Sequence, residues 1–160
     1  MAVSLFPACV FAGSITGLWQ TIDDETGEPK SIVSVYKQGE QFFGRILFTY
    51  TDGSPDLIDN GAGGLKCDPA KKASEKLGKD IPYCGLVFLK DLELSKSGKY
   101  TGGKITDPKK GKTYDASAEL AKDGTLTVRG MLGGGLLKAL GRNQTWIPVK
   151  PEDMTKGFTY

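Results

Sequence analysis

Gly111-Lys112-Thr113-Tyr114-Asp115-Ala116-Ser117-Ala118-Glu119-Leu120-Ala121-Lys122-Asp123-Gly124-Thr125-Leu126-Thr127-Val128-Arg129-Gly130-Met131 is the run that decides the fold. Successive side chains of an extended strand point to opposite faces. Tyr114, Ala116, Ala118 and Leu120 therefore share one face, and Thr113, Asp115, Ser117 and Glu119 the other. Leu126 and Val128 repeat the pattern against Thr125, Thr127 and Arg129. Between the two runs stands Lys122-Asp123-Gly124, an Asp-Gly turn whose glycine supplies the positive φ that a hairpin needs. The stretch predicts two antiparallel strands, apolar on one side and polar on the other.

The same signature recurs along the chain. Strands are predicted over 16–22, 30–36, 41–50, 84–94 and 99–106 before this hairpin, and over 142–149 after it, eight strands in all. Short strands at regular spacing with turns between them indicate a sandwich or barrel, so the fold class is all-β and antiparallel. Two segments break the rhythm. The long connection 51–83 is predicted to carry one short surface helix, with Asp68 as its cap, Pro69 at its first position and Gly78 just past its end. The stretch 131–141 interrupts an apolar run ending in Leu136, Leu137 and Leu140 with Gly133-Gly134-Gly135, and reads as a lip or a plug at one barrel end.

The composition removes whole classes of function. The 160 residues include no histidine, which excludes Ser-His-Asp triads, Cys-His dyads and His-ligated metal centres. The 22 glycines belong mostly to turns. The net charge is only +2, and Arg45, Arg129 and Arg142 are the sole arginines among 21 basic residues. That balance argues against nucleic-acid reading, which favours the arginine fork. No run of about 18 apolar residues offers a membrane-spanning helix. Residues 1–13 open apolar and uncharged, with Val10 and Ala12 placed like a cleavage site, and read as the remnant of a signal peptide or leader. Acylation at Cys9 and an additional apolar strand are the alternatives. Cys67 and Cys84 flank the irregular stretch; in an exported protein they form a disulfide, in a reducing compartment two free thiols. Two thiolates without further ligands do not complete a zinc tetrahedron, so no metal site is expected.

Few constellations carry chemistry. Asp23-Asp24-Glu25 with Glu28 lacks the spacing of a calcium loop and reads as a solvated turn. No Gly-Lys-Ser/Thr follows the triple glycine, so it is not a phosphate loop. Nothing selects a pair of carboxylates for glycosidase-like work. If the strands close into a barrel, the first and last become neighbours, and Arg142 could stack on Trp19 as a structural clamp. Tyr36, Phe42, Ile46, Phe88, Tyr114 and Trp146 are the candidates for an inward aromatic wall around a ligand, or equally for a packed core.

The chain also resembles the DUF2147 family of exported bacterial proteins. The resemblance rests on Gly17-Leu18-Trp19-Gln20-Thr21-Ile22-Asp23-Asp24, Gly103-Lys104-Ile105, Gly111-Lys112-Thr113-Tyr114, Leu126-Thr127-Val128-Arg129-Gly130 and Leu140-Gly141-Arg142-Asn143-Gln144-Thr145-Trp146, in that order. It implies a lipocalin-like, calycin-type barrel over 14–150 with a tail at 151–160, export to the periplasm or beyond, and no established activity. Gly17 and Trp19 with the late Arg142 are similar to the lipocalin signature, which adds Gly17 to the clamp. The expected function is non-enzymatic binding of a small, mostly apolar ligand without a cofactor. The alternatives are an envelope module that binds another protein or the cell wall, and an enzyme built on carboxylates or a Lys/Tyr pair.

Overall fold

The computed structural model describes residues 13–132 and 141–159. Eleven strands follow one another: β1 (Gly17–Ile22), β2 (Pro29–Gln38), β3 (Gln41–Thr51), β4 (Ser54–Pro55), β5 (Leu57–Asp59), β6 (Leu65–Cys67), β7 (Val87–Leu94), β8 (Tyr100–Asp107), β9 (Lys112–Leu120), β10 (Leu126–Met131) and β11 (Gly141–Val149). Eight of them pair antiparallel in the order β2-β1-β11-β10-β9-β8-β7-β3, and β3 pairs back onto β2. The sheet is a closed barrel, and closure leaves no edge along its wall. All eight predicted strands are present with shifts of a few residues at their ends.

Local chemistry accounts for the turns. At the β9–β10 hairpin, Gly124 adopts φ +87° while Asp123 Oδ1 accepts from Thr125 N at 2.9 Å. Among the bulges of the sheet, one on β3 and one on β7 adjust the facing of the strands. Val33 pairs with Ile46 and Ile32 with Phe48, so Leu47 is the extra residue on β3. Gly44 pairs with Leu89 and Arg45 with Val87, which leaves Phe88 as the extra residue on β7. As a result Phe88 and Leu89 both join the interior cluster, and Leu47 and Phe48 both join an outer one.

The two ends of the barrel differ. One carries the β2–β3, β7–β8 and β9–β10 turns and is sealed by residues before β1: Ile15 is fully buried and its carbonyl accepts from Trp19 Nε1 at 2.9 Å. The other end, the mouth, carries the β1–β2 turn, the 52–86 excursion and the β8–β9 turn. The core fills the interior above the seal, with Trp19, Phe42, Leu92, Tyr100, Leu126 and Val128 all buried.

The excursion differs from the predicted surface helix. It holds the β5–β6 hairpin and only a single 3-10 turn, Glu75–Leu77. Asp68 does cap, but in a local turn to Ala70 N at 2.9 Å. The polar segment 70–77 has no apolar face to bury, so packing does not repay helix nucleation. Strand-like pairing takes its place: Ala73 N donates to Ile81 O and Tyr83 N to Lys71 O. Cys67 and Cys84 are joined by a disulfide that ties the base of this flap. After a 3-10 turn at Pro151–Asp153 the tail crosses to the flap, where Phe158 bridges to Leu65 and packs edge-on against Phe48. The leader expected at 1–13, including Cys9, and the glycine lip expected at 131–141 fall almost wholly outside the described residues.

Candidate functional site

Inward side chains change character along the barrel axis. Phe88 on β7 and Trp146 on β11 lie four strands apart in a ring of eight, hence on opposite walls, yet their rings approach to 5.8 Å. Trp146 is fully buried and Phe88 nearly so. The pair forms a floor across the barrel. Below it, toward the sealed end, the interior is close-packed: a Cβ added at Gly103 would sit 2.7 Å from Leu92. Above it, Leu86, Ile105, Tyr114, Gly130 and Gln144 ring the mouth and are all half-buried rather than buried. Tyr83 of the flap and Ile105 pack against the interior cluster from this end. These side chains line the mouth of the barrel.

Small polar groups complete its wall. Thr21 and Ser31 share a hydrogen bond of 2.7 Å, and Ser31 pairs across the strands with Thr49. Thr49 and Thr51 donate to the carboxylate of Asp56 on the flap, and Lys71 approaches the same oxygen at 3.4 Å. Burial alone would raise the Asp56 pKa, but the two hydroxyls and the Lys71 charge outweigh it and hold the carboxyl below its ordinary range. The Lys71 ammonium also lies 5.4 Å from the Tyr83 ring centroid. Burial, aided by the nearby Asp107 charge, pushes the Tyr83 hydroxyl up, so it stays protonated and able to donate. Trp146 Nε1 donates to Gln144 Oε1 at 3.4 Å.

The six predicted wall residues divide among three places. Ile46, Phe88 and Trp146 lie in the interior cluster, the last two as the floor. Tyr114 stands at the mouth above them. Phe42 belongs to the sealed end, edge-on to Tyr100 at 5.0 Å. Tyr36 is not inward: Val33 and Val35 take the interior face of β2, so Tyr36 faces out and stacks on Phe43 at 5.8 Å. The Arg142–Trp19 clamp is likewise not formed. β1 and β11 do pair, but Trp19 is opposite Pro148, six residues along β11 from Arg142. That is about 20 Å of strand. Arg142 sits at the mouth and binds Asp24 at 2.9 Å and Glu25 at 3.1 Å in the β1–β2 turn. Gly17 opens β1 with φ +134°.

Tyr83, Leu86, Ile105 and Gln144 escaped the sequence reading. The parity of β8 and β11 marks Ile105 and Gln144 as inward, but the position of Tyr83 and Leu86 depends on the path of the flap. A groove of about 520 Å³ lies outside the barrel between β3, the flap and the tail, and is lined by Leu47, Asn60, Cys67, Cys84 and Phe158 among others. Among the described residues, no three metal-ligating side chains come together.

A family model described as an uncharacterized protein conserved in bacteria (DUF2147) matches residues 17–147. Among solved structures, protein HP1028 from Helicobacter pylori, described as belonging to the lipocalin family, superposes with a TM-score of 0.65. The match covers 88% of this chain and 86% of that one at 22% identity, so it shows a shared fold. No curated protein matches the sequence.

Proposed function

The chain belongs to the DUF2147 family of bacterial proteins, and from that premise and the geometry of the mouth we propose that it is a non-enzymatic binder of a small, mostly apolar molecule. The ligand occupies the cup above the Phe88–Trp146 floor. One observation carries the reading: the floor divides a filled lower barrel from an upper ring of half-exposed inward side chains, at the end where the loops are long. Apolar walls with a few placed polar groups are the usual make-up of a small-molecule site. We also read the protein as exported; the Cys67–Cys84 disulfide and the apolar residues 1–12 support this.

Titration with N-phenyl-1-naphthylamine, a neutral probe that brightens in apolar surroundings, tests the cup. The unmodified protein should bind it saturably. Ile105→Trp, which fills the mouth with an indole, should weaken binding about tenfold or more; because added bulk beside the core costs about 1–3 kcal/mol, circular dichroism checks that the variant stays folded. Binding that ignores this substitution would sink the proposal. The outer groove favours a second reading, an interaction module for a protein or the cell wall. Loss of probe binding on Phe158→Ser but not on Ile105→Trp would shift the assignment to that groove.

A further inference from the structure

We infer that the groove outside the barrel is a second binding site, one that takes a carboxylate carried on a compact apolar body, such as an aromatic acid. The site is separate from the mouth, since the groove lies on the outer face of β3 between the flap and the tail. Its volume of about 520 Å³ is within the range of small-molecule sites.

Two cations border this space, Arg45 of β3 and Lys66 of β6. Both are exposed, and neither forms an ion pair with a described residue. The register explains why. Arg45 has Ser34 and Val87 as its cross-strand neighbours and Lys66 has Ile58, so no acid stands opposite either one. The other two arginines are engaged, Arg142 by Asp24 and Glu25, and Arg129 by Asn143 Oδ1 at 3.0 Å. The Arg45 guanidinium instead lies over the Tyr36 ring, 6.0 Å from its centroid, and Tyr36 in turn stacks on Phe43. That platform positions the fork while its N–H donors make no hydrogen bond to a described residue.

Among the described residues that line the groove, none is acidic. Its neutral polar side chains are already used within the protein. Asn60 Oδ1 accepts from Ala62 N and Gly64 N, Asn60 Nδ2 donates to Thr159 Oγ1, and that hydroxyl donates to Leu65 O. Recognition of a polar group therefore falls to the two cations, and a carboxylate is the planar acceptor that a guanidinium fork fits. The apolar part of the lining is Leu47, Phe158 and the Cys67–Cys84 disulfide. Exposed charges alone attract an acid weakly, so an apolar body that covers these side chains must supply the rest of the affinity.

The test is an amide-resolved NMR titration of the full chain at neutral pH with 2-naphthoate and with its uncharged counterpart, 2-naphthamide. The acid should shift the amide signals of Leu47, Lys66, Gly85 and Phe158 saturably, and should bind about tenfold or more tightly than the amide. The Arg45→Gln, Lys66→Gln double variant changes two exposed side chains, so its spectrum should stay that of the folded barrel while the acid falls to the affinity of the amide. Equal binding of acid and amide by the unmodified protein, or acid binding that the double variant leaves intact, would overturn the inference. Shifts caused by the acid only around Ile105 and Tyr114 would overturn it as well, while leaving the proposal for the mouth standing.

Discussion

Asp56 belongs to the flap, yet its carboxylate draws Thr49 and Thr51 of β3 and Lys71 of the flap to one point. The three partners stabilise the ionised form, and the folded pKa lies below the ordinary value despite burial. A depressed carboxylate pKa contributes stability above the unfolded value of about 4, and that contribution is lost as pH falls through the folded value. Asp56→Asn should therefore destabilise the protein at neutral pH by about 1–2 kcal/mol. The gap between variant and unmodified protein in urea melts should close as the pH drops below about 4; a gap independent of pH would show that charge at this position is irrelevant. Asp23 and Asp123 are lowered too, the first mainly by the Glu25 backbone and the second mainly by the Thr125 hydroxyl, so some acid sensitivity will persist in the variant.

At the scale of elements, the flap is the part least able to hold itself. Its β5–β6 pairing spans three residues a side, and an isolated two-stranded hairpin is marginal in water. Three attachments compensate: the disulfide, the tail strand that exchanges Leu65 N to Gly157 O and Thr159 N to Leu65 O, and the bond from Ser74 N to Pro108 O in the β8–β9 turn. The disulfide closes a loop of sequence separation 17. Replacing both Cys67 and Cys84 by alanine should cost about 3 kcal/mol in the chain-entropy account. Limited proteolysis followed by mass spectrometry should then place new cuts within 68–83 while the barrel strands stay protected. Cuts that appear first in β7 to β9 would mean that the bond holds the barrel rather than the flap.

On the scale of the whole molecule, the barrel has an inner core and an outer one. Leu18, Ile32, Phe48 and Val149 on its outer face are covered by Leu57 of the flap and by Met154 and Phe158 of the tail. Removing residues 151–160 should leave the eight strands closed, since β11 ends at Val149, but uncover this patch. Lower stability, by about 1–2 kcal/mol for Phe158→Ala alone, and a new tendency to associate are the expected results, measured by thermal unfolding and by light scattering. A truncated chain as stable and monodisperse as the full one would show that the patch needs no cover. The eight barrel strands were legible because alternation and turn chemistry are local: the pattern from Tyr114 to Val128 needs no knowledge of the rest of the chain. The helix expected at 70–77 was misread because cap residues are also local, whereas the absence of anything to pack against is not. Phe88 and Trp146 could be read as inward, but not as a floor, because their contact spans opposite walls. Arg142 shows the same limit, since the register of β1 on β11 sets it at the other end of the barrel from Trp19, whereas the outward facing of Tyr36 follows from its alternation with Val33 and Val35. Sequence by itself determined the strand order, the antiparallel pairing of hairpins and the family resemblance. Only the tertiary structure decided facing, register and the division into a sealed end and a mouth, because those follow from closing all eight strands around one interior.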